Sequence, residues 1–400
     1  MAQLDNKLQP SKAIPFYRNV KVLALVAQIA FLLILGLLFW WLIGNMLSSL
    51  RRSNIPLSFD FLPQTAGFEI AESSIRYSAT DSYGRAFLVG ILNTLRIAVL
   101  GIILSTIFGI IIGIGRLSSN WLLRNLAGAY VELFRNTPLA VQLIFWFVAV
   151  ILKLPRVRDA IAIDGIFALS NRGLTLAWPV AGESYAAWSI WFWVGLVVGV
   201  IAYVLRRQQL QRLDRPLVAW PVAWLAVLAT WLVSWLGVWL FTGSSPLVID
   251  QPHLSGFNYT GGVSITAAFF ALLLGLTCYT AAFIAEIVRA GILAVSKGQR
   301  EAAQALGFTP FQTMRLIIFP QALRVIIPPL TNQYLNLTKN SSLGILVSFP
   351  DLFFVTTTIN NQSGRAVQVI LIMMACYLAM SLLISLFANI YNSRMRLKER

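Results

Sequence analysis

Residues 296–320 read SKGQREAAQALGFTPFQTMRLIIFP. Ser296 is followed three residues on by Gln299, and Thr309 three residues on by Gln312. Each pair fits a capping box, in which a hydroxyl and an amide satisfy free backbone N–H groups at a helix start. Pro310 stands at the first helical position, where its fixed φ suits the turn. Gly307 stands where the preceding helix must end, because a left-handed residue beyond the C-cap costs least as glycine. The stretch therefore predicts a short helix over 297–306, about 15 Å long at 1.5 Å per residue. A sharp turn then leads into a second helix through 311–319. The short helix shows Glu301 beside the small pair Ala302 and Ala303, with Ala305 and Leu306 following. Small side chains let another surface approach the backbone closely, and one carboxylate fixes orientation against a basic partner. An amphipathic helix lying on a membrane would carry the same pattern, so these residues alone leave both readings open.

Working outward, this loop lies between two long apolar runs, and the chain repeats that arrangement. Hydrophobic residues make up 58% and charged residues 12%, where soluble domains carry about 25% charged. A soluble fold of 400 residues could not cover its surface with so few charges. Lys and Arg exceed Asp and Glu by 31 to 15, giving +16. In so apolar a chain that excess points to anionic lipid rather than nucleic acid.

A spanning helix needs about 20 mainly apolar residues. Eight runs qualify: 22–43, 87–114, 137–152, 187–205, 217–241, 264–288, 325–349 and 366–391, the third being short and extended back toward Tyr130. The first is longer than the apolar part of a signal peptide, and no small-residue cleavage site follows it, so it reads as an anchor. Nineteen of the cations fall on one side of this plan, among them Lys7, Lys12, Arg18, Lys21, Arg215, Arg289, Arg324, Arg396, Lys398 and Arg400. Nine fall on the other, among them Arg156, Arg158 and Arg172. Positive loops stay in the cytoplasm, which places both termini and the 289–324 loop there. The outer segments 45–86, 153–186 and 242–263 are each too short or too polar to form a separate domain. The expected fold is an all-α polytopic membrane protein with about eight transmembrane helices.

Polar residues inside the spans are few and therefore informative. Asn332, Asn336, Lys339 and Asn340 recur at helical spacing on one face. A lysine at that depth costs about 2.5–3.5 kcal/mol on insertion scales. Such a stripe suits a path for zwitterionic solutes or a contact with another subunit. It equally suits a helix end near the interface with a snorkelling lysine. Pro328 and Pro329 kink or start this helix. Asn93, Thr94 and Arg96 form a smaller patch, read as snorkelling or as a bond between helices. Gly109 with Gly113, and Gly195 with Gly199, make small-xxx-small pairs that favour close helix packing. Cys278 and Cys376 lie in apolar runs and read as core filling, and His253 reads as a solvated loop residue. There is no Gly-rich phosphate loop ending in Gly-Lys-Ser/Thr, no metal-spaced His/Cys cluster and no evident nucleophile–base pair.

Glu301, Ala302 and Ala303, then Gly307, then Ile317, Phe319 and Pro320 resemble the "EAA" loop of ABC importer permeases. The family usually carries Leu where Phe319 stands, a change that keeps the position apolar. The resemblance implies that this helix inserts into a cleft of a cytoplasmic ATPase and couples hydrolysis to movement of the spans. Gln299, Glu301, Ala302, Ala303 and Gly307 would then be the docking residues. The run 132–139, ELFRNTPL, resembles the segment before a core span in polar amino-acid uptake permeases. Glu286, Arg289, Gly291, the Gly298-Gln299 pair and the polar break KNSSL at 339–343 also fit that subgroup. Such permeases commonly run near half this length, and the interior 152–262 is the departure, adding two spans. That larger architecture resembles the general L-amino-acid permease subunits of Gram-negative bacteria.

The resemblance implies a multi-pass subunit of the bacterial inner membrane with a type I importer-like core. A cytoplasmic segment 1–21 and a first span with its periplasmic loop, 22–86, would precede a permease domain at 87–391, and 392–400 would be a cytoplasmic tail. The chain would bind no cofactor and catalyse nothing, ATP being used by a partner ATPase. A periplasmic amino-acid-binding protein would deliver substrate, and a second homologous permease would complete a heterodimer. Membrane lipid is the remaining partner, and nucleic acid is not one. The alternative is a secondary transporter driven by an ion gradient. Against it, Glu132 and Glu286 sit near cytoplasmic span ends, and no carboxylate is placed midway to relay protons.

Overall fold

The computed structural model describes residues 19–53, 57–213 and 219–395. The cations expected at Lys7, Lys12, Arg18, Arg215, Arg396, Lys398 and Arg400 lie outside these residues, as does most of the two terminal segments. The helices are α1 (Val20–Arg52), α2 (Tyr83–Gly115), α3 (Trp121–Asn136), α4 (Leu139–Ile144), α5 (Tyr185–Arg212) and α6 (Trp220–Thr242). They continue as α7 (Ala267–Leu293), α8 (Lys297–Ala305), α9 (Pro310–Gln312), α10 (Phe319–Asn340), α11 (Leu352–Ser363) and α12 (Ala366–Met395). Starts follow from local chemistry: Asn19, Ser82, Asn120, Thr266 and Asp351 each accept a first-turn N–H through a side-chain oxygen.

Among the described residues, seven helical runs are long and apolar enough to cross a membrane. An eighth crossing is complete if Trp121–Asn136 and Leu139–Lys153 count as one broken span, bent by 106°. The expected third span, reaching back from residue 137 toward Tyr130, is therefore two helices. Thr137 precedes Pro138 and is held extended, at φ −97° and ψ 128°, because the proline ring crowds a helical neighbour.

The seventh span also departs from expectation. It does not begin at residue 325 after a separate helix; Pro310–Val347 is one helical run of 38 residues. Within it Thr313–Ile318 widens to a π-turn and Ser341–Val347 tightens to 3-10 geometry. The π-turn ends just before Pro320, which has no N–H to donate and would crowd the carbonyl of Leu316 in a regular helix. Pro328 and Pro329 lie inside α10 rather than at its start.

The core is built round α7, the most deeply buried of the spanning helices. α2 crosses it closely because a Cβ on Gly109 would lie 2.5 Å from Ile284 Cγ2, and one on Gly113 2.7 Å from the Ala285 carbonyl oxygen. Phe269, Leu272 and Leu276 of α7 pack with Ile97, Leu143 and Phe349 at one level. Ile284, Val288 and Ile292 pack with Ile318, Ala322 and Ile326 of the seventh span at another. By contrast α1 buries no residue, and α5 and α6 pack chiefly on each other. Gly195 and Gly199 face Trp231 and Val227 across that pair.

The chain is predominantly helical, as expected, and short strands are confined to its outer segments. Among the described residues eight short strands occupy the outer segments: β1 (Ile161–Ile163), β2 (Phe167–Ser170), β3 (Gly173–Leu176), β4 (Trp178–Ala181), β5 (Leu247–Asp250), β6 (His253–Ser255), β7 (Asn258–Thr260) and β8 (Val263–Thr266). They form antiparallel sheets in the orders β1-β2-β3-β8, β4-β5 and β6-β7. The β3–β8 and β4–β5 pairs join the segment before α5 to the segment after α6, so both emerge on one side of the bundle. Gly173 and Gly262 permit the tight approach, at φ 123° and 67°; a Cβ on either would meet a carbonyl oxygen at 2.0 Å.

Candidate functional site

At the opposite end from the sheets, α8 stands out from the bundle. Its length follows the capping logic at one end only. Gly307, at φ 76°, donates to Gln304 O at 2.9 Å and Phe308 to Ala303 O at 3.0 Å, closing a Schellman turn. The capping box at Thr309 and Gln312 is complete, with bonds of 3.3 and 2.9 Å. The box expected at Ser296 does not form: the Ser296 side chain caps nothing. The Gln299 side chain instead accepts from Gln321 Nε2 at 3.3 Å, across to the start of α10.

Of the five residues singled out on this loop, Gln299, Glu301, Ala302 and Gly307 are exposed. Ala303 is not; at 2% exposure it is the side of α8 that faces inward, and α8 packs against the turn Thr313–Ile318. Arg300 ties the helix to α7 by donating to Ile292 O at 3.1 Å. Leu306 and Phe311, on the same loop, stand 74% and 71% exposed. An exposed carboxylate, a close-approach alanine and two free apolar side chains thus share one rigidly capped protrusion. Behind it, Glu286 accepts from both Arg116 and Arg289, clamping the end of α2 to α7.

The polar residues of α10 fall as their spacing predicts. Asn332, Asn336 and Lys339 are exposed and Asn340 half-buried, while Leu337 and Thr338 on the other face are buried. Leu337 fills the space at Gly101, and Tyr334 bonds Thr106 at 2.9 Å, so α10 presents its back to α2. Lys339 lies one residue from the end of α10 rather than midway along the span.

A third polar group, near the sheets, brings together residues far apart in sequence. Glu72 of the first outer segment accepts from Arg96 at 2.9 Å and from the hydroxyl of Thr266, which caps α7. The Arg96 guanidinium also lies 4.4 Å from the Phe269 ring centre. Asn93 donates to Glu72 O at 2.8 Å and to Pro350 O at 2.9 Å, and Thr94 accepts from Leu352 N–H at 2.9 Å. Burial pushes the Glu72 carboxyl up, against the opposite pull of Thr266 and Arg96. Asp351, fully buried, caps α11 by accepting from Phe354 N–H at 2.9 Å, with Tyr377 donating from α12 at 3.3 Å. Burial raises its carboxyl to about 6. The sequence reading passed over Asp351; the signal was Pro-Asp before an apolar run, an N-cap signature. As a cap it is engaged structurally.

The chain matches the family described as binding-protein-dependent transport system inner membrane component over residues 195–397. The general L-amino acid transport system permease protein AapQ of Rhizobium johnstonii is 44% identical over 388 residues, 96% of this chain and 94% of that protein. The putative amino-acid ABC transporter permease protein YhdX of Escherichia coli is 42% identical over 95% of this chain and 94% of its own length. The glutamate/glutamine/aspartate/asparagine transport system permease protein BztB of Rhodobacter capsulatus is 39% identical over 90% of each. With likeness spanning nearly the whole length and a family match over half of it, this chain belongs to the binding-protein-dependent transport inner membrane components, the permeases of ABC transporters.

Proposed function

We infer that this chain is the membrane-spanning permease subunit of an ATP-driven importer that carries amino acids from the periplasm to the cytoplasm. The observation that carries the reading is the near full-length likeness to AapQ, YhdX and BztB, each named as an amino-acid or L-amino-acid permease. The chain itself catalyses no reaction. Hydrolysis belongs to a separate cytoplasmic ATPase, and α8 is its docking element. Glu301, Ala302, Gln299 and the turn at Gly307 form the contact face, while inward-facing Ala303 seats α8 on the bundle. Because α8 leans on the turn Thr313–Ile318, a push on it is passed along the helical run that carries Asn332, Asn336, Lys339 and Asn340. That exposed polar face lines the path against a second, homologous permease, giving a heterodimer. Residues 87–391 form the permease domain, and the self-packed pair α5–α6 within 152–262 is an addition to it. Both termini lie in the cytoplasm and the sheets in the periplasm. ATP binding draws two such docking helices together, and the spans follow as a two-state element.

Glu301→Lys tests the coupling. It reverses the one carboxylate on the free face of α8 without touching the bundle. We expect normal membrane insertion, loss of the co-purifying ATPase and loss of ATP-dependent uptake of labelled amino acids. Full uptake in this variant would remove α8 from the coupling path and turn attention to an ion-driven mechanism.

A further inference from the structure

Arg156, Arg158 and Arg172 sit on the sheet side of the molecule, where the positive-inside rule does not call for cations. The fold gathers them. Asn171 N–H donates to Pro155 O at 2.9 Å, which holds the turn Val157–Asp159 against the β2–β3 connection. With Asp159, Asn171 and Phe257 the three arginines line an open groove of about 440 Å3. Among the described residues none of the three makes an ion pair. Arg172 donates to the Asn258 amide oxygen, and the Arg158 guanidinium lies 5.4 Å from the Phe257 ring centre. Phe257 itself stands 73% exposed between β6 and β7. An adjoining groove of about 360 Å3 shares Val157 and Arg172 and adds the hydroxyls of Ser170, Thr175 and Thr260.

Three like charges gathered round a single carboxylate, Asp159, with which none of them pairs, leave a net positive groove that favours an acidic partner. Guanidinium forks take carboxylates bidentately, and an exposed aromatic among arginines is the composition of an interface hot spot. We propose that this patch is the docking surface for an acidic face of the soluble binding protein on which transport by this family depends. The inference rests on the proposed function, which puts the sheets in the periplasm. Arg156, Arg158 and Arg172 lie outside the stretch 195–397 that matches the family, while Phe257, Asn258 and Thr260 lie within it, so the surface joins the two parts of the chain. A lipid headgroup is the weaker occupant. The anionic surface that attracts basic segments is chiefly the cytoplasmic leaflet, and beside the arginines and Phe257 the grooves carry Asp159, Asn171 and hydroxyls.

The test uses the complete transporter in proteoliposomes, once with zwitterionic and once with anionic lipid. These are titrated with the soluble binding protein that drives its ATP hydrolysis. In the triple variant Arg156→Glu, Arg158→Glu, Arg172→Glu the half-saturating concentration should rise by about tenfold or more, with the maximal rate unchanged. Wild type should weaken steeply with salt and the variant should not. The corresponding triple Arg→Gln variant gives the same salt readout should charge reversal impair assembly, and Phe257→Ala should raise half-saturation without altering the salt response. Unchanged half-saturation and salt response in the charge variants overturns the proposal. So does a shift seen only in anionic lipid, which assigns the patch to headgroups. A wild-type transporter that hydrolyses ATP and imports without responding to any binding protein would instead sink the proposed function, and this inference with it.

Discussion

At the scale of single residues, two positions carry opposite kinds of constraint. Gly307 is fixed by backbone geometry alone: its φ of 76° needs a left-handed residue, yet a Cβ there would meet nothing within 4 Å. Gly307→Ala should therefore cost about 1 kcal/mol through the backbone, without any clash, and Gly307→Asn less, because Asn tolerates that region. Uptake and ATPase co-purification should fall in the order Gly, Asn, Ala; equal activity in all three would mean the Schellman turn does not set the position of α8. Asp351 is fixed by burial. Its carboxyl is held up at about 6, mainly by desolvation, so the neutral form is favoured in the folded state. The stability this confers is full below the unfolded value of about 3.9 and is lost as pH rises through about 6. Asp351→Asn keeps an acceptor for Phe354 N–H and removes the titration. The melting temperature of wild type relative to this variant should fall between pH 4 and pH 7, in detergent-purified protein. A constant difference across that range would show that Asp351 does not titrate there.

At the scale of elements, helix contacts divide the molecule into a tight part and a loose part. Gly113 lies against the Ala285 carbonyl, which is backbone and cannot yield, so Gly113→Val must drive α2 and α7 apart. Overpacking of this kind costs about 1–3 kcal/mol or more. Gly199 lies instead against a Val227 methyl in the α5–α6 pair, which packs chiefly on itself. Gly199→Val should leave the amount of folded, ATPase-associated protein near wild type, whereas Gly113→Val should sharply reduce it, as read by fluorescence-detected gel filtration. The same division explains what the sequence disclosed. Small-xxx-small spacing identified both close crossings, and Thr309, Gln312 and Gly307 marked their turns, because caps and glycine pairs are local signals. The box at Ser296 failed because Gln299 found a partner in Gln321, 22 residues away. The π-turn before Pro320 and the break at Thr137–Pro138 carry proline signals whose outcome depends on neighbouring helices. Strands of three or four residues such as Ile161–Ile163 have too short an alternation to read, and their partners lie up to about 90 residues away, as in β3 with β8. Glu72 could not be matched to Arg96 and Thr266 from spacing at all, since only the folded outer segment brings it to them.

At the scale of the whole molecule, sidedness is the property on which docking, path and direction all depend. The β3–β8 and β4–β5 pairs tie the segments flanking α5–α6 together, and Glu72 ties the first outer segment to Thr266 in the same layer. All three outer segments must therefore share a side, whichever side that is. α8 and the Arg116–Glu286–Arg289 clamp sit at the far ends of α2 and α7, so they must share the other. The cation excess is what distinguishes the two orientations, and on it we propose that α8 lies in the cytoplasm. Single cysteines at exposed Phe257 and exposed Gln304 should divide cleanly in a background where Cys278 and Cys376 are replaced by alanine. A membrane-impermeant maleimide added to spheroplasts should label Phe257→Cys at once and Gln304→Cys only after the membrane is opened. The reverse pattern would invert the molecule and place the arginine groove in the cytoplasm. Labelling of both from outside would break the link between sheet layer and bundle and leave the fold with a different number of crossings.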